Sequence, residues 1–76
     1  MSRKLNPAKL LLSKWTAVKP IDKNKHFLIS KIIRPDDPNA PLELFEIEAV
    51  YSKKSHQIHW RELQDETKWR QGWISD

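Results

Sequence analysis

Residues 44–63 constrain the fold more than any other part of the chain, because they have the sequence pattern of a β-hairpin. In the first half, Glu46 and Glu48 alternate with apolar residues at positions 45, 47, 49 and 51, and in the second half Ile58 and Trp60 alternate with polar residues. An alternation with period two is typical of a strand with one buried face. We therefore predict two antiparallel strands that share one apolar face, which the rest of the chain must cover.

Burial and charge together predict the register of this hairpin. With Tyr51 opposite His56, the inner pairs are Ala49–Ile58 and Ile47–Trp60, and the outer pairs are Glu48–His59 and Glu46–Arg61. Opposite charges in such pairs contribute about 0.2–1 kcal/mol each, and a shift by one residue would turn over the faces of one strand. We expect a four-residue loop over residues 52–55, because a two-residue turn there would lack Gly and Asn.

A short helix is predicted before the first strand. Asn6 followed by Pro7 is a helix-start signal, and Leu11 and Trp15 follow at helical spacing. A helix that extends only to Ser13 is too short to be stable alone, so we expect it to form only when docked on the sheet.

Two strands and two loops are predicted between this helix and the hairpin. Residues 15–18 and 26–34 are rich in β-branched and apolar residues, which favour strands. Residues 21–25 are predicted to be a lysine-rich loop. The three prolines in residues 35–41 exclude a regular ladder and predict a surface loop.

The segment after the hairpin has the signals of a short helix. Asp65 is a suitable N-cap for a helix that begins at Glu66, and Gly72 is a suitable C-cap. Trp69 and Trp73 are four residues apart, a spacing that would place them on one helical face.

Together these elements predict a mainly β fold, a small antiparallel curled sheet or SH3-like barrel of about four strands with short helical turns at both ends. A length of 76 residues allows one domain. Residues 1–5 are predicted to be a flexible basic start, and residues 6–74 a single tryptophan-rich domain. The predicted core consists of Leu11, Trp15, Ala17, Phe27, Ile29, Ile33, Phe45, Ile47, Ala49, Ile58, Trp60 and Trp69.

Tryptophan is expected to supply much of the stability, because the chain has no cysteine and therefore no disulfide. Each of the four tryptophans would contribute about 4–6 kcal/mol if fully buried, as an upper estimate from its area.

The charge is distributed unevenly along the chain. Residues 1–34 hold nine Lys and Arg against one acid, whereas residues 35–76 hold five Lys and Arg against nine acids. Two interpretations remain open: the basic half attracts an anionic partner, or it folds against the acidic half.

A series of short motifs follows in order along most of the chain. They are Asn6-Pro7, Lys9-Leu10-Leu11, residues 13–18, residues 25–27, residues 33–35, residues 49–51, residues 60–63 and residues 69–73. In these motifs the chain resembles the small bacterial tryptophan-rich protein family, a domain of unknown function, over residues 6–74. The resemblance implies a cytoplasmic bacterial protein and supplies no catalytic residue.

Catalysis is not expected from this sequence. The only glycine is Gly72, so neither a phosphate-binding glycine-rich loop nor a nucleophile elbow is present. His56 and His59 would lie on opposite faces of a strand and cannot share one metal. We therefore expect no enzymatic activity and no cofactor, and the apolar run Leu10–Leu12 is too short to span a membrane.

Two kinds of binding remain. Association with a protein or ribonucleoprotein is the first hypothesis, because exposed Trp and Tyr are frequent interface anchors; the chain would be a monomer or a homodimer. The alternative is direct binding of single-stranded nucleic acid by cations and exposed aromatic residues. The candidate contacts for either partner are Lys14, Lys19, Lys23, Lys25, Lys31, Arg34, Lys53, Lys54, Tyr51 and Trp73, with Trp15 as a further candidate for base stacking.

Overall fold

A computed structural model describes residues 5–74 and shows one antiparallel sheet. Its strands are β1 (Lys14–Ile21), β2 (Asn24–Ile33), β3 (Leu44–Ala49), β4 (Ser55–His59) and β5 (Trp69–Gln71). Their order in the sheet is β4-β3-β2-β1-β5. The first 3-10 turn is Pro7–Lys9 and the second is Trp60–Gln64.

The prediction of a mainly β fold with a curled antiparallel sheet is confirmed. The sheet has five strands instead of four, and over residues 5–74 it does not close into a barrel. The predicted flexible start falls largely on residues 1–4, which lie outside the described residues, while Leu5 packs against the core.

The predicted helix after Asp65 is wrong, because the chain forms β5 there. Asp65 caps a single turn: its Oδ1 accepts a hydrogen bond from the Thr67 N–H at 2.9 Å, and its carbonyl accepts one from the Trp69 N–H at 3.0 Å. The chain is then extended and pairs with β1, with Trp69 opposite Ala17. This pairing buries the Trp69 side chain, which one face of an isolated short helix would not do.

The predicted helix before β1 is reduced to the first 3-10 turn. The Asn6 side chain caps it as expected, accepting a hydrogen bond from the Ala8 N–H at 3.0 Å. Because the turn ends at Lys9, the helical spacing does not continue. Leu11 is exposed, contrary to the prediction, and Leu10 is buried in its place.

The β3–β4 hairpin forms, but its predicted register is wrong by four residues. Phe45 lies opposite Ile58, and the two predicted acid–base pairs are absent. The loop is residues 50–53 and is closed by a hydrogen bond of 2.9 Å from the Lys53 N–H to the Ala49 carbonyl, with Lys53 at φ +66°. Because the shift is an even number, the predicted buried face of each strand is retained.

Trp60 lies at the edge of the core instead of its centre, because the chain leaves β4 at His59. The His59 Nδ1 accepts a hydrogen bond from the Arg61 N–H at 3.1 Å, and the Glu62 carboxylate accepts one from the His59 N–H at 3.4 Å. This reciprocal cap begins the second 3-10 turn at Trp60. The turn buries Leu63 completely, a core residue that the hairpin pattern did not reveal.

A bulge at Ser30 exchanges the faces of β2. Ile29 pairs with Ile47, but after the bulge Ile32 pairs with Phe45. One extra residue reverses the inward and outward positions that follow it. Ile32 therefore packs against the core, and Ile33, which strict alternation places in the core, does not.

The β1–β2 hairpin is longer than predicted and strongly bent. Asp22 and Lys23 connect its strands in a two-residue turn, both with positive φ, which is the conformation of a type I′ hairpin turn. Between Thr16 and Ile21 the pairing with β2 is interrupted by a bulge on β1. Extra residues on one strand of a pair bend that strand, which is consistent with the curl of the sheet.

The core occupies the concave face of the sheet. Its buried residues are Leu10, Trp15, Ala17, Phe27, Ile29, Phe45, Ile47, Ala49, Ile58, Leu63 and Trp69. The Phe27 and Trp69 rings meet edge to face, with their centroids 5.1 Å apart. Such pairs stabilise a core by about 0.5–1.5 kcal/mol beyond their buried area.

Candidate nucleic-acid interface

The chain after β5 crosses the outer face of β1 and β2. The Gly72 N–H donates a hydrogen bond to the Lys14 carbonyl at 2.8 Å, and Gly72 adopts φ +82°. The buried Thr16 hydroxyl donates to the Gly72 carbonyl at 2.6 Å and accepts from the Ile74 N–H at 2.9 Å. The segment that covers the outer face is thus held by hydrogen bonds, whereas the concave face is covered by packed apolar side chains.

This crossing places Trp73 on the outer face with its ring partly in solvent. The indole N–H donates to the Phe27 carbonyl at 2.9 Å. The ring stacks on His26 with centroids 6.1 Å apart, and the Lys14 ammonium lies 4.7 Å from the ring centroid. Because 43% of Trp73 is exposed, an aromatic surface with an adjacent cation remains available to a partner.

His26 links Trp73 to the neighbouring hairpin loop. Its Nε2 lies 3.0 Å from the Ile74 carbonyl, a contact in which the ring nitrogen is the donor. Its own carbonyl accepts a hydrogen bond from the Val50 N–H at 3.0 Å. This bond holds the β3–β4 loop beside β2, next to the β1–β2 turn.

Tyr51 follows Val50 in this loop and is 88% exposed, the largest exposure of any large apolar or aromatic side chain in residues 5–74. It borders an open depression of about 500 Å³, whose wall also includes Lys23, Lys25 and His26. An exposed phenol ring is therefore positioned beside two lysines, although the three residues come from different hairpins.

Arg70 extends the cationic area across β1. It lies opposite Thr16 on β5, and Thr16 in turn lies opposite His26 on β2. Arg70 and Lys25 also border one small depression of about 110 Å³. We name the area formed by Lys14, Lys23, Lys25, His26, Tyr51, Arg70 and Trp73 the basic-aromatic surface.

The structure brings together five of the ten predicted contact residues. These five are Lys14, Lys23, Lys25, Tyr51 and Trp73, and Lys53 and Lys54 follow Tyr51 in the same loop region. Lys19 lies instead beside the gap between β4 and β5, and Lys31 and Arg34 lie toward the other end of β2. Trp15 is 1% exposed, so the hypothesis that it stacks with bases is wrong.

Sequence reasoning missed His26 and Arg70 in this surface. No sequence pattern marks His26 as part of this surface, because its contacts depend on the crossing of residues 72–74 over the outer face. Arg70 would have been found if residues 69–71 had been interpreted as a strand, since alternation with buried Trp69 places it on the outer face.

Acidic residues bound the basic-aromatic surface on its β3 side. Glu46 lies opposite Lys31, and its carboxylate accepts a hydrogen bond from the Ser30 hydroxyl at 2.9 Å. Glu48 lies opposite Leu28, which separates it from Lys14 on β1. The positive charge of this part of the sheet is therefore concentrated over β1 and β2, and negative charge lies over β3.

The described part of the chain offers no metal centre, because no three His, Asp or Glu side chains within it are close enough to hold an ion. His59 Nε2 lies 3.4 Å from Glu43 while its other nitrogen caps the second 3-10 turn. No helix in residues 5–74 is long and apolar enough to cross a membrane.

The fold and its four tryptophans define a small single-sheet β protein: Trp15 and Trp69 are buried in the core, Trp60 lies at its edge, and Trp73 lies on the outer face. A family model described as Tryptophan-rich protein (DUF2389), a family of unknown function, matches residues 13–74. The chain belongs to this tryptophan-rich family. No curated protein and no solved structure matches it.

Proposed function

We propose that this protein is a non-enzymatic binding module whose basic-aromatic surface contacts single-stranded nucleic acid, alone or within a ribonucleoprotein. The observation that carries the proposal is the position of Tyr51, which projects almost fully exposed beside Lys23 and Lys25. A buried location would be expected of a Tyr whose role is packing alone, since its ring carries a large apolar area.

Two features of the arrangement support this proposal, namely aromatic platforms and the cations beside them. Aromatic platforms contribute about 1–3 kcal/mol for each stacked base, without regard to sequence. The platforms here are Tyr51 and Trp73, and the cations beside them are Lys14, Lys23 and Arg70. Recognition by stacking and charge fits a surface that lacks a deep, enclosed pocket.

A salt titration with a fluorescent twelve-nucleotide oligo(dT) tests this proposal. If about four cations each neutralise one phosphate, the slope of log K against log salt is about −3, so affinity falls about 50-fold between 50 and 200 mM salt. Replacing Lys14 and Lys23 by Gln should weaken binding and reduce the slope by about half. The matched control replaces Lys31 and Arg34, which carry the same charge away from the surface, and should leave that slope unchanged.

Absence of binding at 50 mM salt would contradict the proposal, and so would equal losses in the two double variants. The first outcome would show that the surface does not accept a single strand. The second would show that only net charge matters and that the surface has no special role.

Protein association is the second candidate function, and a different part of the molecule favours it. The edge strands β4 and β5 leave an apolar gap between them, and exposed strand edges are common sites of protein binding. Copurification with and without nuclease distinguishes the two functions: a partner held through nucleic acid is lost on digestion, whereas a directly bound protein is retained.

A further inference from the structure

The gap between β4 and β5 contains a cavity with an apolar floor. The second 3-10 turn contacts both strands and fills one part of the gap with the buried side chain of Leu63. Beside the turn lies a cavity of about 230 Å³, and its buried lining residues are Ala17, Ile58 and Trp69. This volume is below the roughly 300–1,000 Å³ typical of pockets for whole small ligands, so it fits a single large side chain better.

The backbone edge of β4 next to this cavity is unpaired. Hydrogen bonds from the Ala49 N–H to the Lys54 carbonyl at 2.8 Å and from the Trp60 N–H to the Glu43 carbonyl at 3.0 Å set the phase of the β3–β4 ladder. In an antiparallel ladder only alternate residues face the partner strand. Gln57 therefore directs its N–H and C=O away from β3, where residues 5–74 provide no strand to receive them.

The charged groups around the cavity are mainly cationic. Lys19 and Lys68 border it from β1 and from the turn before β5, and a hydrogen bond of 2.9 Å between the Val18 N–H and the Lys68 carbonyl holds these segments together. His56 borders it from β4, and Glu62 is the one acid in its lining. Acidic groups on a partner would thus meet two lysines against one carboxylate.

We infer that an extended acidic peptide segment of another protein adds to the β4 edge and inserts one apolar side chain into this cavity. The inference deepens the second candidate function, protein association, and rests on it. In such strand addition, main-chain hydrogen bonds supply affinity, and side-chain pockets at alternate positions supply specificity. The Gln57 backbone supplies the hydrogen bonds, the floor at Trp69 receives the anchor side chain, and Lys19 and Lys68 select the acids.

A synthetic heptapeptide, Ser-Glu-Thr-Phe-Thr-Glu-Ser, is a suitable probe. Its central Phe and its two Glu lie on one face of an extended chain, because side chains alternate along a strand. We expect it to bind the full chain and to protect the Gln57 amide from hydrogen exchange. The same peptide with Lys in place of both Glu should bind at least tenfold more weakly, and the peptide with Ser in place of Phe should bind more weakly still.

Two substitutions at one position test the edge without disturbing the core. Gln57→Pro removes the outward N–H, and proline is tolerated where that N–H faces away from the ladder; we expect at least a tenfold loss of peptide affinity. Gln57→Val retains the N–H and serves as the control, with affinity within about twofold of the parent. Amide spectra of both variants should show that β3 and β4 remain paired.

Several outcomes would overturn the inference. They are no binding at about 1 mM peptide, equal binding of the Glu and Lys peptides, and unchanged binding by Gln57→Pro. Protection of the Gln57 amide that rises with the concentration of the chain alone would make a second copy the occupant. If Gln57→Pro still retains a nuclease-resistant protein partner, protein association stands and only the β4 site fails.

Discussion

The groups that cover the two faces of the sheet are held by different kinds of interaction. The concave face buries Phe45, Ile47 and Trp15 under other apolar side chains, each at 1% exposure or less. The outer face is covered over β1 and β2 by a single crossing of the chain, held by hydrogen bonds to Thr16, Lys14 and other polar groups. Apolar burial is the main source of folding free energy, whereas a net hydrogen bond contributes about 0.5–1.5 kcal/mol. The concave face therefore contributes most of the stability of the fold, and the outer face contributes less.

The tryptophans show the same contrast at the level of single residues. Trp15 and Trp69 are almost fully buried, and both belong to strands. Trp60 and Trp73 are partly exposed and each lies over a polar or charged neighbour, with the Arg61 guanidinium 5.4 Å from the Trp60 ring. The four tryptophans thus occupy two kinds of environment, and composition alone does not separate them.

The largest expected effect is that of Trp15→Ala. This side chain is the largest among those that are fully buried, so its removal should cost about 3–5 kcal/mol, close to the whole stability of a domain of this size. Trp60→Ala is the matched control and should cost only about 1–2 kcal/mol, because its ring lies at the edge of the core. Urea denaturation of both variants measures the difference, and similar midpoints would refute the contrast between core and margin.

An intermediate effect is expected for Thr16→Val. The valine has nearly the same shape but breaks the hydrogen bonds to Gly72 and Ile74, so we expect a loss of about 1–3 kcal/mol. Thr16→Ser retains the hydroxyl and should recover most of this loss. Amide exchange at Ile74, whose N–H donates to the Thr16 hydroxyl, should increase in the valine variant alone; unchanged exchange there would show that the crossing does not depend on Thr16.

The smallest expected effect is a gain in stability. Lys23 adopts φ +68° in the β1–β2 turn, a conformation that glycine reaches without the cost of a side chain. Lys23→Gly should therefore stabilise the protein by about 1 kcal/mol, while Lys31→Gly within β2 should destabilise it by a similar amount. Thermal denaturation compares them, and a destabilised Lys23→Gly would show that the turn does not strain its backbone.

Local pattern predicted the strands well wherever one face is buried. The alternation in residues 45–49 correctly identified β3 and its inward side chains, because burial of Phe45 and Ile47 dominates the local energetics. The alternation wrongly placed Ile33 in the core, because no feature of the sequence indicates the bulge at Ser30 that reverses the faces of β2. It failed on the hairpin register because the capping pair of His59 and Glu62 ends β4 early.

Pairing between segments that are distant in the sequence was the second feature that the local pattern did not predict. Trp69 and Trp73 have the spacing of a helical face, and only pairing with β1 makes residues 69–71 a strand. The basic-aromatic surface depends on this pairing, since it directs residues 72–74 across β1 and β2 and brings Trp73 to His26. The lysines and Tyr51 were therefore predictable as exposed residues, whereas their assembly into one surface was not.

Tyr51→Ala provides the most direct test of whether the basic-aromatic surface binds a partner while the concave face stabilises the fold. The ring is almost fully exposed, so its loss should leave the urea midpoint unchanged. The same variant should bind oligo(dT) about tenfold more weakly at 50 mM salt, because it loses one stacking platform. Unchanged oligo(dT) affinity, or a lower urea midpoint, would contradict the account.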